Sequence, residues 1–401
     1  MAAPDPVVIV SAVRTPIGAF QGDLKELSAP QLGAIAIRAS VERAGIPIDS
    51  VDEVFFGCVL SAGLGQAPAR QAALAAGLPA STGAVTINKV CGSGMKAAML
   101  AHDLLLAGSA RIMVAGGMES MTNAPYLLDR ARSGYRMGHG RILDHMFLDG
   151  LEDAYDKGRS MGAFAEECAD SYAFTRQAQD EYAAASLARA QKATADGSFD
   201  AEIVPVTVNA AKTQRLVSHD ELPLKAKPEK IPFLKPAFRE GGTVTAASSS
   251  AISDGAASLV LMRRSEADRR GLAPLATIVG HATYANAPAL FTTAPIGAIR
   301  RLMERTGWTL DTVDLFEVSE AFAVVAMAAM RDLGLPHEKV NVHGGACALG
   351  HPIGASGARM LATLLAALAK YGLRRGIAAI CIGGGEATAM AVERISPSDK
   401  P

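Results

Sequence analysis

The chain is organised around the stretch Val85-Thr-Ile-Asn-Lys-Val-Cys91-Gly-Ser-Gly-Met95-Lys. Val85 and Ile87 suit a short buried strand, and the glycines after Cys91 end that strand and let a ligand approach the backbone closely. Apolar residues then recur at helical spacing from Met95 until Gly108, after which residues 110–117 form a second strand ending in two glycines. The pattern predicts a strand, a cysteine, a helix and a strand, with Cys91 at or just before the helix N-terminus.

Cys91 has two interpretations at this point. At a helix N-terminus, the unpaired backbone N–H groups and the helix dipole favour the thiolate, which is the reactive form of cysteine. A cysteine beside a glycine turn can equally be a small buried core residue. A base elsewhere in the chain would decide between the two.

Length, charge and cysteine content narrow the class of protein. The 401 residues predict two or three domains with substantial cores. A formal net charge of −1 argues against a nucleic-acid or anionic-membrane binder driven by bulk charge. The longest apolar runs, such as residues 321–330, are too short to span a bilayer. Five scattered cysteines do not predict a disulfide framework, so we expect a reducing cytoplasm.

Strands alternate with helices at both ends of the chain. Residues 7–10 and 54–57 are predicted strands, separated by a helix from Leu32 to Ala44 that Gly45 closes. This alternation is typical of a mostly parallel sheet covered by helices on both faces.

The opening unit occurs twice. A strand, a glycine-rich loop, a helix and a strand ending in glycines run over residues 85–117 and again over residues 340–385, with the second unit's first strand predicted at 340–342. Two similar halves packed together would bring both loops to one pseudo-twofold axis. The repeat therefore predicts a shared site between the halves.

An irregular segment interrupts the first half. We predict an N-terminal half formed by residues 1–121 and 245–273, an insertion over residues 122–244, and a C-terminal half over residues 274–401. Prolines in the stretch 209–242 forbid regular structure over most of it. That stretch is either a solvated loop or a cationic rim for a phosphorylated ligand. Its lysines are Lys212, Lys225, Lys227, Lys230 and Lys235.

Three residues could form a catalytic site if the two loops meet. A thiol beside an imidazole generates a thiolate nucleophile near neutral pH, so Cys91 and His351 are candidates to act as a unit. Cys381 lies in an apolar strand, where a cysteine is by default a core residue. Glycines 383–385 follow it and offer bare N–H groups of the kind that stabilise an oxyanion.

A metal site is the alternative for this region, because His343, Cys347, His351 and Cys381 are all zinc-ligand types. Their spacing lacks paired cysteines or histidines, and glycines surround them, so no metal site is predicted. Glycine fingerprints for dinucleotides are also absent, because the glycines at 344–350 have the wrong spacing.

With these motifs in place, the sequence resembles the thiolase family, of the acetyl-CoA acetyltransferase (acetoacetyl-CoA thiolase) type, over nearly its whole length. The matching motifs are Asn88-Lys-Val-Cys91-Gly-Ser-Gly, Gly350-His351-Pro-Ile-Gly-Ala-Ser-Gly357, Cys381-Ile-Gly-Gly-Gly385 and Gly242-Thr-Val-Thr-Ala246. The resemblance implies an α/β fold with two similar βαβ halves, whose mixed five-stranded sheets pack in α-β-α-β-α layers, plus an inserted loop domain.

The resemblance also implies reversible Claisen condensation and thiolysis of short 3-oxoacyl-CoAs, which interconverts two acetyl-CoA molecules with acetoacetyl-CoA and CoA. Cys91 would accept the acyl group, His351 would activate Cys91, and Cys381 would move a proton at the α-carbon. The N–H groups of Cys91 and Gly383 would form one oxyanion hole, and His351 with a water the other. No tightly bound cofactor is implied.

By the same resemblance, the insertion would hold CoA, and the protein would be a homotetramer, a dimer of dimers, in fatty acid metabolism; its cytoplasmic location is the one expected from the cysteine content. Lys225 would face the nucleotide phosphates. The matching CoA positions are Leu151, Met161, Lys225, Ala246 and Ser250.

Ser319 departs from the family pattern. The family usually has an asparagine before Glu-Ala-Phe, where it holds the oxyanion-hole water, and this chain has Ser319-Glu-Ala-Phe322. Serine is shorter, and losing an oxyanion-hole donor can cost on the order of 100-fold in rate. Two alternatives to a short-chain thiolase stay open: a thiolase-fold protein that binds acyl-CoA or lipid with little turnover, and a thiolase that prefers longer 3-oxoacyl-CoAs. A decarboxylating condensing enzyme is disfavoured by Cys381.

Overall fold

A computed structural model describes residues 5–210 and 213–396. The strands are β1 (Val7–Arg14), β2 (Gly18–Ala19), β3 (Glu53–Gly57), β4 (Gly83–Ile87), β5 (Ile112–Ser120), β6 (Tyr126–Leu127), β7 (Leu143–Asp144), β8 (Val206–Ala210), β9 (Thr213–Val217), β10 (Ser253–Arg263), β11 (Ala276–Ala285), β12 (Leu315–Val318), β13 (Arg375–Ile382) and β14 (Glu386–Arg394). The helices are α1 (Ala29–Ala44), α2 (Pro68–Ala75), α3 (Ser93–Ala107), α4 (Met161–Ser171), α5 (Arg176–Ala195), α6 (Glu221–Lys225), α7 (Arg264–Arg269), α8 (Ala294–Thr306), α9 (Ala323–Leu333), α10 (Ala346–Leu349) and α11 (Ser356–Lys370).

The two halves have the same strand order, which supports the internal repeat seen in the sequence. In the first half the order is β4-β3-β5-β10-β1, and in the second β12-β13-β14-β11, with Val340 bridging Phe316 at the outer edge of β12. The sheets are mixed: β3 is parallel to β4 and β5, whereas β10 is antiparallel to β5 and β1. The alternation alone predicts mostly parallel strands, so that expectation is wrong for the inner strands of both halves.

Three apolar clusters define five layers. One packs α1 and α2 against the outer face of the first sheet, and another packs α8 and α9 against the outer face of the second. Between the sheets, α3 and α11 share a third cluster, which includes Met99, Leu361 and inward-facing residues of both sheets. Since strand side chains alternate between faces, each sheet serves two layers. The fold is therefore the predicted α-β-α-β-α arrangement.

Two local predictions fail. Val85 is 39% exposed because β4 is an edge strand that pairs only with β3 on its inner side, so the predicted buried strand is half-exposed. The strand predicted at 340–342 is reduced to the Val340–Phe316 bridge. Asn341 has a φ of 49°, in the left-handed region that interrupts extended structure.

The insertion is more regular than its prolines suggest. β8 and β9 form a hairpin, and α6 follows at Glu221–Lys225. Lys212 lies outside the described residues.

Thr175 caps α5 as predicted, because its side chain accepts a hydrogen bond of 3.1 Å from the Ala178 N–H. The predicted domain boundaries stay a prediction. Within residues 5–210 and 213–396, no helix combines the length and apolar character needed to cross a bilayer.

Candidate active site

Cys91 sits in a strained turn between β4 and α3. Val90, the preceding residue, has a φ of 46°, which is rare for a β-branched side chain and costs on the order of 1–3 kcal/mol. The Asn88 side chain accepts a hydrogen bond of 3.0 Å from the Val90 N–H, and the Ser93 hydroxyl donates one of 2.6 Å to the Val90 carbonyl. These bonds fix Cys91 immediately before α3, as the sequence predicts.

The thiol of Cys91 points at the glycine loop of the other half. The backbone N–H groups of Gly383 and of Cys91 itself interact with this thiol and lower its pKa, but burial outweighs them and raises the pKa to about 11. Because the resting group is a thiol, its chemistry requires a base.

Glycines let the two halves approach closely at this point. A side chain on Gly94, in the first turn of α3, would lie 3.0 Å from the Gly354 carbonyl oxygen. One on Gly357, at the start of α11, would lie 2.5 Å from the Met95 backbone nitrogen, which no side chain tolerates. The histidine loop before α11 is thereby packed against the start of α3.

His351 is a buried imidazole with one ring nitrogen free. Its Nδ1 lies 2.6 Å from the Ser356 hydroxyl, and that hydroxyl donates a hydrogen bond of 3.0 Å to the Pro352 carbonyl. With the Ser356 hydroxyl proton on the Pro352 carbonyl, we assign Nδ1–H as the donor to Ser356 and Nε2 as a lone-pair acceptor. Nε2 is buried and has no hydrogen-bond partner among residues 5–210 and 213–396. Burial, with help from Arg359, lowers the pKa of His351 to about 4, so the ring is neutral at pH 7.

Cys381 completes the group from the end of β13. Burial raises the pKa of its thiol to about 12, the nearby Cys91 sulfur acts in the same direction, and the Ser319 hydroxyl opposes them. Ser319 Oγ lies 3.2 Å from Cys381 Sγ. The structure thus brings Cys91, Cys381, Gly383 and Ser319 close together, and their roles stay a prediction.

Three of the five predicted CoA positions lie next to this site. A side chain on Gly383 would meet Met161 Sδ at 3.4 Å. Leu151 packs against the apolar cluster that Cys91 also contacts. Ser250 donates a backbone hydrogen bond of 2.9 Å to the Ala321 carbonyl, two residues from Ser319.

The other two predicted CoA positions, Ala246 and Lys225, lie on the exposed surface. Ala246 is exposed. Lys225 is 64% exposed and forms an ion pair with Glu221, which raises the pKa of the lysine. An exposed ammonium group on a mobile four-carbon side chain can still reach a phosphate.

The residues weighed as zinc ligands take separate environments. The ring of His343 packs edge-on against Phe199, and burial lowers its pKa to about 4. The Cys347 thiol contacts the Glu320 carbonyl at 3.6 Å. Neither side chain turns toward His351 or Cys381 in its described contacts.

Two buried carboxylates support the site: Glu119, which no sequence motif singles out, and Glu320, which follows Ser319 in the motif but has no role assigned from the sequence. Glu119 accepts backbone N–H groups of Val59, Leu60 and Gly354 over 2.9–3.1 Å, and burial raises its pKa to about 7. Glu320 accepts hydrogen bonds of 2.7–3.1 Å from a tyrosine, a serine, an asparagine and a backbone N–H: Tyr182, Ser186, Asn341 and Cys347. Glu119 is a single carboxylate on β5 and gives no periodic signal, and Glu320 lies just after β12, so their burial and contacts are what reveal their roles.

Comparisons with known proteins agree with this geometry. The family model described as "Thiolase, N-terminal domain" matches residues 7–265, and "Thiolase, C-terminal domain" matches residues 272–394. The acetyl-CoA acetyltransferase of Cupriavidus necator is 48% identical over 390 residues, which is 97% of this chain and 99% of that protein. The one from Escherichia coli is 50% identical over 391 residues, again 97% and 99%. The crystal structure of the Bacillus anthracis acetyl-CoA acetyltransferase superposes with a TM-score of 0.95 at 41% identity and covers 98% of this chain and 100% of that one.

Proposed function

This chain belongs to the thiolase family, and on that premise we propose that it is an acetyl-CoA C-acetyltransferase that condenses two acetyl-CoA molecules into acetoacetyl-CoA and CoA, and reverses this reaction. The observation that carries the proposal is the pair of interacting thiols, Cys91 and Cys381, one of which faces the N–H of Gly383. A thiol pair provides both an acyl acceptor and a second proton-transfer group.

In the first half-reaction, His351 acts as the base. Its free Nε2 takes the Cys91 proton, the thiolate attacks the acetyl-CoA carbonyl, and the bond from that carbonyl to the CoA sulfur breaks. The departing CoA thiolate takes the proton back from His351. The N–H groups of Cys91 and Gly383 stabilise the oxyanion that forms on the carbonyl oxygen.

In the second half-reaction, the Cys381 thiol passes its proton to the free Nε2 of His351, and the Cys381 thiolate removes a proton from the α-carbon of a second acetyl-CoA. The resulting carbanion attacks the acetyl group on Cys91, a carbon–carbon bond forms, and the Cys91 thiolate that leaves takes the proton back from His351. His351, with a water, would stabilise the enolate oxygen. Thiolysis runs through the same steps in reverse, with Cys381 returning the proton to carbon.

The substrates are CoA thioesters, and no tightly bound cofactor is required for these steps. We place the CoA along the insertion, beside Leu151, Met161 and Ser250, with Ala246 and Lys225 further out toward the nucleotide phosphates. The similarity to the acetyl-CoA acetyltransferases of Cupriavidus necator and Escherichia coli supports acetyl-CoA as the substrate. The balanced net charge of −1 fits a protein without nucleic-acid or membrane partners. We further propose a cytoplasmic homotetramer in fatty acid metabolism.

The direct test follows loss of acetoacetyl-CoA in the presence of free CoA. Turnover by the wild-type protein and its disappearance in Cys91→Ala are the expected results. Binding of acetoacetyl-CoA without turnover would overturn the proposal and favour a carrier. A kcat/KM series over 3-oxoacyl chains of increasing length then defines the preference, since each methylene is worth about 1–3 kcal/mol in such a pocket.

A further inference from the structure

Two histidines from different halves converge on one carboxylate, away from the thiols. His102 lies on α3, the helix that follows Cys91, and His281 lies on β11 in the second half. Asp103 Oδ1 is 3.1 Å from His102 Nδ1 and 2.8 Å from His281 Nε2. The imidazole rings meet edge to face, with their centroids 5.1 Å apart.

We propose that His102, Asp103 and His281 bind a divalent transition-metal ion, with Zn²⁺ the best match. Imidazole and carboxylate are ligand types that Zn²⁺ takes, and His102, Asp103 and His281 supply three ligands while leaving a fourth position for water. Their ligand atoms all lie within 4.8 Å of one another. Tetrahedral Zn²⁺ with bonds of about 2.0–2.1 Å needs ligand atoms about 3.3 Å apart, so small side-chain rotations suffice.

The burial of His102 and His281 fits a metal site better than a chance contact between surface side chains. The His102 and His281 side chains are 11% and 15% exposed, so packing restricts their rotamers before any ion arrives. Asp103 is 53% exposed and leaves the site open to solvent on its side. A prepared ligand set with an entry path is what a metal site requires.

The site would join the halves rather than take part in the reaction. His102 lies nine positions after Ser93, the first residue of α3, and a helical rise of 1.5 Å per residue places it about 14 Å along α3 from the end next to Cys91. An ion held by α3 and β11 would tie the central helix of one half to a strand of the other. In sequence, His102 and Asp103 are adjacent, but His281 is far away, so the spacing of metal-ligand types could not predict the site.

The test is a calorimetric titration of the full-length, EDTA-treated protein with ZnCl₂. A Cys91→Ala background removes competition from the reactive thiol. We expect one equivalent of tight binding that raises the thermal unfolding temperature. Replacement His281→Gln keeps an amide donor for Asp103 but supplies a poor ligand, and should weaken binding at least about tenfold.

The matched control is His219→Ala, which removes an exposed histidine and should leave Zn²⁺ affinity unchanged. Circular dichroism confirms that each variant is folded. Equal Zn²⁺ affinity in His281→Gln and the parent would overturn the proposal. So would an unfolding temperature that does not respond to Zn²⁺ in the parent protein.

Discussion

The hydroxyl of Ser319 donates a hydrogen bond to the Cys381 sulfur over 3.2 Å and accepts one of 3.0 Å from the Cys381 backbone N–H. This arrangement links the residue that departs from the family motif directly to the second thiol. Because a hydrogen bond to a thiolate stabilises the charged form, Ser319 opposes the large increase in the pKa of Cys381 that burial causes.

Replacement Ser319→Ala should therefore slow proton transfer at the α-carbon. Loss of the hydrogen bond raises the pKa of Cys381 further, and one pKa unit corresponds to about tenfold in the thiolate population. We expect kcat for acetyl-CoA condensation, in which the Cys381 thiolate removes the α-proton, to fall about tenfold, with KM little changed. The exposed Ser133→Ala is a matched control, and a wild-type kcat in Ser319→Ala would show that the contact has no role.

Replacement Ser319→Asn tests the expectation drawn from the family motif. An amide offers both a donor for Cys381 and a longer reach toward a water in the oxyanion hole, so kcat should rise severalfold. Steady-state thiolysis kinetics measure it. An unchanged or reduced kcat would mean that the serine already supplies what the reaction needs.

Ser356 holds the ring of His351, the proposed base. Ser356→Ala should therefore impair His351 although Ser356 is not proposed to contact the substrate. With no acceptor for Nδ1–H, the ring can flip or change tautomer and remove the lone pair from Nε2. We expect kcat/KM to fall about tenfold, as for other residues that orient a functional histidine. Rescue in Ser356→Thr, which retains a hydroxyl, distinguishes this role from a loss of packing; equal losses in both variants would argue against it.

The low pKa of His351 should make the protein acid-sensitive. The unfolded ring has a pKa near 6.5 and the folded ring about 4, so the unfolded state binds more protons between these values. The folded state therefore loses stability as pH falls from about 6.5 to about 4, by about 3 kcal/mol for this group. Urea unfolding at pH 7 and pH 4.5 should show a smaller acid loss in His351→Gln; an identical loss would contradict the assignment.

The sequence predicts the candidate catalytic residues better than it predicts their electrostatics. Cys91, His351 and Cys381 could be found because each lies in a glycine-rich motif and the two motifs repeat. The protonation state of Cys91 could not be predicted. Its pKa depends on how far burial outweighs the nearby N–H groups, and both depend on how the opposite half packs against it. Val85 is exposed because β4 lies at the edge of its sheet. A local sequence pattern cannot predict which strands pair, so it cannot predict this exposure.

The sequence also could not predict contacts between residues that lie far apart in the chain. Glu119 holds the backbone of two loops separated from it by 59 or more positions, and His281 meets Asp103 across 178. Neither has a neighbour in sequence that signals the partner. Ser319 was noticed only because it departs from the family motif, and its contact with Cys381 required the coordinates.

The most direct measurement is mass spectrometry of the protein after brief incubation with acetyl-CoA. In Cys381→Ala, the first half-reaction should proceed and the second should stop, so one acetyl group should accumulate on the peptide that contains Cys91. Cys91→Ala should remain unmodified. Acetylation at another residue, or an unmodified Cys91 in Cys381→Ala, would contradict an acyl-enzyme formed on Cys91.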